Sequence, residues 1–167
     1  MGKVTAPEPL NETHNTDNFD CGIDSLNRWI RRQAFKNEIS GASRSFVVCE
    51  DGEVVGYYAL ATGSVIRRNA PGKVRPAMPD SIPVMVLGRL AIDRTRQGTG
   101  LGSGLLRDAL LRTYGVSKQA GIRALLVHAL SEEAKNFYLH HGFQVSPIEP
   151  LTLLLNLQDV RYVLEEG

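Results

Sequence analysis

The sequence contains only two cysteines, Cys21 and Cys49, among its 167 residues. Their spacing fits neither a zinc-binding pair nor a redox motif, and the four histidines are scattered along the chain. His140 and His141 are adjacent, so on a helix their rings point in different directions and form a poor ligand pair. We therefore expect no metal centre.

Long apolar runs are also missing. A segment such as Ala124–Leu130 is far too short to span a bilayer. The N-terminal stretch is polar and contains proline, unlike a signal peptide, and Ala6 stands where a myristoylation signal needs Ser or Thr. We expect a cytoplasmic protein with no membrane partner, and the length predicts one domain over residues 1–167.

The net charge is only +1, yet positive charge is concentrated in two segments, each with a net charge of +4. The cations of the first segment are Arg28, Arg31, Arg32, Lys36 and Arg44, and those of the second are Arg67, Arg68, Lys73 and Arg75. Such concentration is typical of proteins that bind a polyanion, including nucleic acid. Many charge runs, however, are no more than solvated surface.

A glycine-rich loop between an apolar strand and an amphipathic helix is the most informative feature. Pro83–Ile92 predicts a strand buried on both faces, and the apolar spacing from Leu101 predicts a helix. Between them, glycines recur at alternate positions from Gly98 to Gly104, leaving main-chain N–H groups unobstructed at a helix start, which favours phosphate. The spacing matches neither a dinucleotide fingerprint nor a P-loop, which requires lysine.

Gln97-x-x-Gly100-x-Gly102 instead resembles the Q/R-x-x-G-x-G/A loop of the GNAT acyltransferase superfamily, which cradles the pyrophosphate of acetyl-coenzyme A. The resemblance implies that acetyl-CoA is held by Gln97, Gly98, Thr99, Gly100, Leu101, Gly102 and Ser103. It also implies that the pantetheine arm pairs with the strand main chain at Leu90, Ala91 and Ile92. An N–H group there would polarise the thioester carbonyl.

The segment SEEAKNFYLHHGF, residues 131–143, resembles a second GNAT signature, N-x-x-A-x-x-[LF]-Y-x-x-x-G-F. Ser131 replaces the usual asparagine, so a side-chain contact to pantetheine is either absent or taken over by Asn136. The resemblance makes Tyr138 the candidate general acid, because a phenol with a pKa of about 10 keeps its proton at neutral pH. The alternative is a core tyrosine with a satisfied hydroxyl.

The order of predicted elements indicates an α/β fold with a mixed central sheet and helices on both faces. Asp24 or Ser25 is expected to cap a helix that ends near Gly41, and Asp51-Gly52 predicts a hairpin. Residues 62–81 are predicted to form an exposed loop with a functional or partner-binding role. The GNAT fold has the same order and includes a splayed central strand pair.

The predicted central strand carries no carboxylate before Asp93, so it offers no base for a protonated amine. A lysine amine has a pKa of about 10.4, whereas an α-amine, at about 8 or lower, is substantially free at neutral pH. The absence of a base therefore favours an α-amine acceptor such as an aminoacyl-tRNA.

Three further stretches resemble the TacT-like GNAT toxins of toxin–antitoxin modules: residues 19–48, VLGRLAID and LLLNL. That resemblance implies acetylation of aminoacyl-tRNA, a block of translation, a homodimer and a ribbon-helix-helix antitoxin as partner. It places Arg89 at the acceptor stem or the aminoacyl end, although Arg89 could equally pair with Asp93 or another acid. The tRNA-facing residues would be Arg31, Arg32, Lys36 and Arg44.

Two other functions remain open on the sequence. One is acetylation of a small amine or of a protein N-terminus. The other is a non-catalytic module that binds acetyl-CoA.

Overall fold

The computed structural model describes residues 3–160. The strands are β1 (Glu8–Pro9), β2 (Arg44–Glu50), β3 (Glu53–Ile66), β4 (Ser81–Ile92), β5 (Ala124–His128), β6 (Gln144–Val145) and β7 (Thr152–Asn156), and the helices are α1 (Asp24–Arg28), α2 (Ala34–Ser40), α3 (Leu101–Ser117) and α4 (Glu132–His140). The strands form a sheet in the order β1-β2-β3-β4-β5-β7-β6. Because β4 and β5 are parallel while β2 and β3 are antiparallel, the predicted mixed α/β sheet is confirmed.

Contacts divide the chain into two compact units. The first comprises the residues up to Ala61 together with Gly88–Ala109, and the second comprises Thr62–Leu87 together with the residues from Leu110. The prediction of one domain over residues 1–167 stays a prediction.

In the first unit, the predicted hairpin is confirmed. Asp51 and Gly52 both have positive φ, at 52° and 80°, which is the conformation required at the two central residues of a tight hairpin turn. The register runs from Arg44↔Leu60 to Glu50↔Glu53. No sequence pattern indicated β1, which pairs with β2 through Glu8↔Val47.

The helical segment of the first unit differs from the prediction at its start. Helix α1 begins at Asp24 and is preceded by Ile23, with no side-chain cap, so neither Asp24 nor Ser25 acts as the N-cap. A π-helical turn, Trp29–Gln33, joins α1 to α2. Gly41, at φ 81°, ends the segment as predicted.

Trp29 is a core residue and is 8% exposed. Its ring stacks on Tyr57, with 5.8 Å between centroids, and Phe19 meets the same tyrosine edge-on at 5.4 Å. Ile30 and Ala34 are buried in the same cluster. Burial of a large apolar side chain such as Ile30 stabilises the fold by roughly 1.5–3 kcal/mol. These contacts hold the helical segment against β2 and β3.

In the second unit, the predicted irregular loop over residues 62–81 is partly wrong. Strand β3 continues to Ile66, and a 3₁₀ turn, Arg67–Asn69, follows it. Ala70 and Val74 are both 0% exposed and belong to a core cluster with Ile82. Because the segment is rich in glycine and proline, its sequence did not indicate that Ala70 and Val74 pack in the core and hold the segment in place.

The remaining elements of the second unit follow the sequence closely. Strand β5 lies in the apolar run Ala124–Leu130 and pairs with β7 from Ala124↔Asn156 to His128↔Thr152. Ser131 caps α4, and Gly142, at φ 91°, follows the helix in the left-handed conformation. Among residues 3–160, we find no helix whose length and apolarity would allow it to cross a membrane.

Candidate active site

Strand β4 leads into the glycine-rich loop. Its parallel register with β5 ends at Leu87↔Val127, and β4 itself continues to Ile92. The predicted burial on both faces holds for its first part, where Ile82 and Val84 are buried, but it is wrong for the second part, where Gly88 is exposed and Ile92 half-buried. The strand therefore extends beyond the register by five residues, including Leu90, Ala91 and Ile92.

Asp93 fixes the turn that follows β4. Its Oδ1 accepts hydrogen bonds from the Thr95 N–H at 3.0 Å and from the Thr95 hydroxyl at 2.8 Å, while its Oδ2 accepts one from the Asp20 N–H at 3.0 Å. Arg96 forms an ion pair with Glu50. The turn is thus tied at both ends before the loop begins.

The loop exposes its main chain at Gly98 and Gly100. Both have positive φ, at 78° and 87°, which L side chains rarely adopt. A Cβ atom added at Gly98, Gly100 or Gly104 would meet no atom within 4 Å, so the space beside the loop is open. Helix α3 starts at Leu101, and the first N–H groups of a helix have no intrahelical acceptor. Unobstructed amides at the positive end of a 17-residue helix suit a pyrophosphate.

Gln97 is held by carbonyl groups at the start of the loop. Its Nε2 donates to the carbonyl oxygens of Cys21 and Ile92, each at 3.0 Å. The amide nitrogen therefore fastens the loop to β4 and to the N-terminal segment.

The segment of residues 20–27, which contacts Gln97 through the Cys21 carbonyl, has a structural role that the sequence analysis missed. Asn27 accepts from the Cys21 N–H at 2.8 Å and donates to Asp20 at 3.0 Å. The Gly22 N–H, together with Asn27, lowers the pKa of Asp20 below its ordinary value, which keeps the carboxylate charged. The only sequence signal was the toxin-like stretch that begins at Phe19, in which Asp20, Cys21 and Asn27 were given no role.

Tyr138 lies on α4 and is 8% exposed. Its ring packs edge-on against Phe137 at 5.2 Å and against Phe143 at 5.3 Å between centroids. Burial raises the pKa of the Tyr138 hydroxyl to about 12, so the group keeps its proton at neutral pH. Within residues 3–160, this hydroxyl makes no hydrogen bond to another residue.

The two candidates for a side-chain contact on α4 differ in the structure. The Ser131 hydroxyl oxygen accepts from the Ala134 N–H at 3.1 Å and so serves as the helix cap. Asn136 is exposed. Its predicted contact with the coenzyme stays a prediction.

The predicted tRNA-facing cations lie in the first unit, and two of them are already engaged. Arg44 donates to the Glu38 carbonyl at 2.7 Å and pairs with the Glu38 carboxylate at 3.2 Å, and Arg31 donates to the Phe19 carbonyl. Arg32 and Lys36 are exposed.

Arg89 does not follow the alternative of pairing with Asp93. Its guanidinium lies over the Trp29 ring, 4.4 Å from the centroid, in a cation–π contact. This contact fixes the orientation of the Arg89 side chain, which is half-buried.

The family described as acetyltransferase (GNAT) domain matches residues 41–145, which is more than half of the chain. The chain belongs to the GNAT family. The GNAT match begins before β2 and ends with β6, so it includes both the glycine-rich loop and Tyr138. The predicted fold, acetyltransferase activity and acetyl-CoA donor are therefore confirmed, whereas the roles of individual residues stay predictions.

Several relatives of this GNAT chain are toxins. A tRNA-acetylating toxin of Mycobacterium tuberculosis is 48% identical over 164 residues, which cover 98% of this chain and 99% of the toxin. The structure of AtaT complexed with acetyl-methionyl-tRNAfMet is 29% identical, with a TM-score of 0.89, and covers 96% of this chain and 99% of that one. A tyrosine-to-phenylalanine mutant of AtaT, bound to acetyl-CoA and to the C-terminus of the antitoxin AtaR, is 28% identical, with a TM-score of 0.81 and coverage of 96% and 97%.

Within residues 3–160 of this GNAT chain, one group of potential metal ligands occurs. The ligand atoms of Glu8, His14 and Cys49 lie within 4.8 Å of one another. The protein already uses both ring nitrogens of His14: Nδ1 accepts from the Asn11 N–H at 3.0 Å, and Nε2 lies 2.8 Å from Glu8. The geometry is that of a hydrogen-bond network linking β1 to the turn that follows it.

Proposed function

We propose that this enzyme transfers the acetyl group of acetyl-CoA to the α-amine of an aminoacyl-tRNA and thereby blocks translation. The observation that carries the proposal is the 48% identity to a tRNA-acetylating toxin over 98% of the chain. The proposal is supported by a toxin of the same fold that was solved with acetyl-methionyl-tRNAfMet.

Two parts of the chain would hold the donor. The main chain from Gln97 to Ser103 binds the pyrophosphate, because open glycine positions and the start of α3 direct N–H groups outward. The main chain of Leu90, Ala91 and Ile92, beyond the β5 register, pairs with the pantetheine arm. When bound, acetyl-CoA supplies an activated acetyl thioester.

Tyr138 would hold a proton at the departing sulfur. Its hydroxyl is protonated at neutral pH because burial raises its pKa to about 12. A donor of this kind contributes to catalysis by protonating the leaving group as the bond to it breaks. Strand β4, SIPVMVLGRLAI, contains no Asp or Glu, which supports an acceptor amine that is already neutral.

The tRNA would approach the exposed Arg32 and Lys36 together with Arg89, whose direction the Trp29 ring fixes. Arg31 and Arg44 contribute charge to the same segment while holding local structure. A ribbon-helix-helix antitoxin would neutralise the enzyme, a proposal supported by the toxin solved with the C-terminus of AtaR. We further propose a homodimer that acts in the cytoplasm, where aminoacyl-tRNA is available.

The proposal is tested by mass spectrometry of total charged tRNA after incubation with acetyl-CoA and the enzyme. We expect an acetyl group on the amino acid of at least one aminoacyl-tRNA, growth arrest on expression, and relief of both by Tyr138→Phe. Parallel incubations contain polyamines and peptides with free N-termini. Acetylation of these alone would assign a small-amine or N-terminal acetyltransferase, and acetylation of nothing would assign a binding module.

A further inference from the structure

A groove with several arginines lies in the second unit, in the segment that the sequence predicted to be an irregular loop. It has a volume of about 700 Å³ and is lined by Ile66, Arg67, Arg68, Gly72, Arg75, Pro76 and Asp80. The three arginines are exposed. None of these residues takes part in the acetyl-transfer site proposed above.

The main chain around the groove is held firmly. The Arg67 N–H donates to the Asp80 carbonyl at 2.8 Å, and the Arg123 side chain donates to the Val74 carbonyl at 3.2 Å. The Ser146 hydroxyl donates to the Asn69 carbonyl at 2.5 Å. With Val74 fully buried, the groove is a preformed surface from which only side chains project.

The residues that line the groove carry a net positive charge, with three arginines and one aspartate. Within residues 3–160, no carboxylate lies within 4 Å of the side-chain nitrogens of Arg67, Arg68 or Arg75. This is unlike the first basic segment, where Arg44 is paired with Glu38. The three guanidinium groups therefore remain available to a ligand.

We infer that this groove binds the phosphodiester backbone of the tRNA substrate. Planar guanidinium groups bind phosphate oxygens in a bidentate manner, and several of them on one surface match a chain of phosphates. A protein partner fits less well, because the centre of a protein–protein interface is depleted of charge and this groove offers few apolar side chains. The inference rests on the proposed function, which names the polyanion.

Asp80 allows a second, opposite effect to be tested at the same groove. Asp80 lines the groove together with the arginines, and its negative charge would repel phosphate. Removal of this charge should therefore tighten RNA binding, whereas removal of the arginine charges should weaken it. Opposite effects from neighbouring positions would distinguish a binding surface from general damage to the fold.

The test compares the wild-type enzyme with the triple variant Arg67→Gln/Arg68→Gln/Arg75→Gln and with Asp80→Asn. Lys73→Gln is the matched control, because Lys73 is an exposed cation of the same segment that does not line the groove. Fluorescence anisotropy gives the Kd for uncharged tRNA at several salt concentrations. Initial rates give kcat and KM for aminoacyl-tRNA and kcat/KM for amino-acid methyl esters, which carry no phosphate.

For the triple variant we expect the Kd for tRNA to rise at least about tenfold, and the slope of log K against log salt to flatten by roughly 0.9 for each phosphate that the variant no longer binds. KM for aminoacyl-tRNA should rise while kcat stays the same. The ratio of kcat/KM for aminoacyl-tRNA to kcat/KM for the esters should therefore fall about tenfold. Asp80→Asn should lower the Kd, and Lys73→Gln should change it by less than about twofold.

Unchanged tRNA binding in the triple variant would overturn the inference, as would equal losses with tRNA and esters. Polyglutamate serves as a second anionic probe in the same anisotropy measurement. If the triple variant loses binding to polyglutamate but keeps binding to tRNA, the groove is assigned to an acidic polypeptide and the inference is overturned. If the wild-type enzyme binds uncharged tRNA through the groove yet acetylates no charged tRNA, the proposed function fails separately. The anisotropy series therefore tests the groove independently of activity.

Discussion

At the glycine-rich loop, residues 97–103, the chain offers main-chain N–H groups, whereas on α4 it offers the hydroxyl of one side chain. The loop depends on backbone conformation, with Gly98 and Gly100 at positive φ and open space beside them. Helix α4 depends on burial, which keeps Tyr138 protonated. Substitutions in the loop should therefore alter the affinity for acetyl-CoA, whereas substitution of Tyr138 should alter kcat.

The largest expected effect is that of Tyr138→Phe on kcat. Phenylalanine preserves the ring contacts with Phe137 and Phe143 and removes only the proton donor. We expect kcat to fall by about 10²- to 10⁴-fold, the usual contribution of a general acid, with the Kd for acetyl-CoA unchanged. Steady-state kinetics and calorimetric titration measure the two quantities. A comparable loss of coenzyme affinity would contradict the assignment.

The control for this variant is Tyr57→Phe. Tyr57 is also buried, and its hydroxyl donates to the Leu26 carbonyl at 2.7 Å. Its removal should lower the free energy of unfolding by about 1 kcal/mol or somewhat more, with little effect on kcat.

The next effect is that of Gly100→Val on acetyl-CoA affinity. A β-branched residue is strained at a φ of 87° and places methyl groups in the open space beside the loop. Strain of this kind costs about 1–3 kcal/mol, which corresponds to a Kd increase of roughly 5- to 150-fold. Isothermal titration calorimetry measures it. Gly52→Val, at a φ of 80° in the hairpin turn, carries the same strain and should leave coenzyme affinity intact; equal weakening by both variants would refute a local role.

A smaller effect is expected for Gln97→Glu. The carboxylate cannot donate to the Cys21 and Ile92 carbonyls that the Gln97 amide now contacts. Because the Gln97 side chain is exposed, loss of these hydrogen bonds should lower the free energy of unfolding by about 1 kcal/mol, as measured by urea denaturation. Gln119→Glu adds the same charge at an exposed position and should change it by less than about 0.5 kcal/mol. If the two variants are equally stable, Gln97 does not fasten the loop.

The smallest effect concerns alkaline pH. Tyr138 is protonated below a pKa of about 12, so its donor remains present as the acceptor amine loses its proton. The value of kcat/KM should rise through the pKa of the α-amine, at about 8 or lower, and then stay level to about pH 11. A decline with an apparent pKa of about 10, the value for an unperturbed phenol, would show that Tyr138 is not buried during catalysis.

Features governed by local sequence could be predicted in detail. The Asp51-Gly52 turn and the helix end at Gly41 each depend on a few neighbouring residues, and both are present in the structure. The glycine-rich loop belongs to the same class. Its spacing alone distinguishes it from other phosphate-binding loops.

Features set by distant contacts could not be predicted in this way. Val74 is buried because it packs against Ile82 and other residues of a core cluster, although it lies in a segment rich in glycine and proline. Similarly, Arg31 and Arg44 resemble free cations in the sequence, but carbonyl groups of Phe19 and Glu38 engage them. Pairing of a cation depends on tertiary neighbours, which composition does not reveal.

In the proposed binding mode, the loop of residues 97–103 would recognise its ligand with main-chain N–H groups, which every amino acid except proline possesses. Side chains such as Thr99 and Leu101 can therefore diverge among homologues without altering the donor, provided that the backbone retains its path. Enzymes with unrelated acceptors can share this portion unchanged. The specificity for the acceptor must then be determined by side chains elsewhere on the surface.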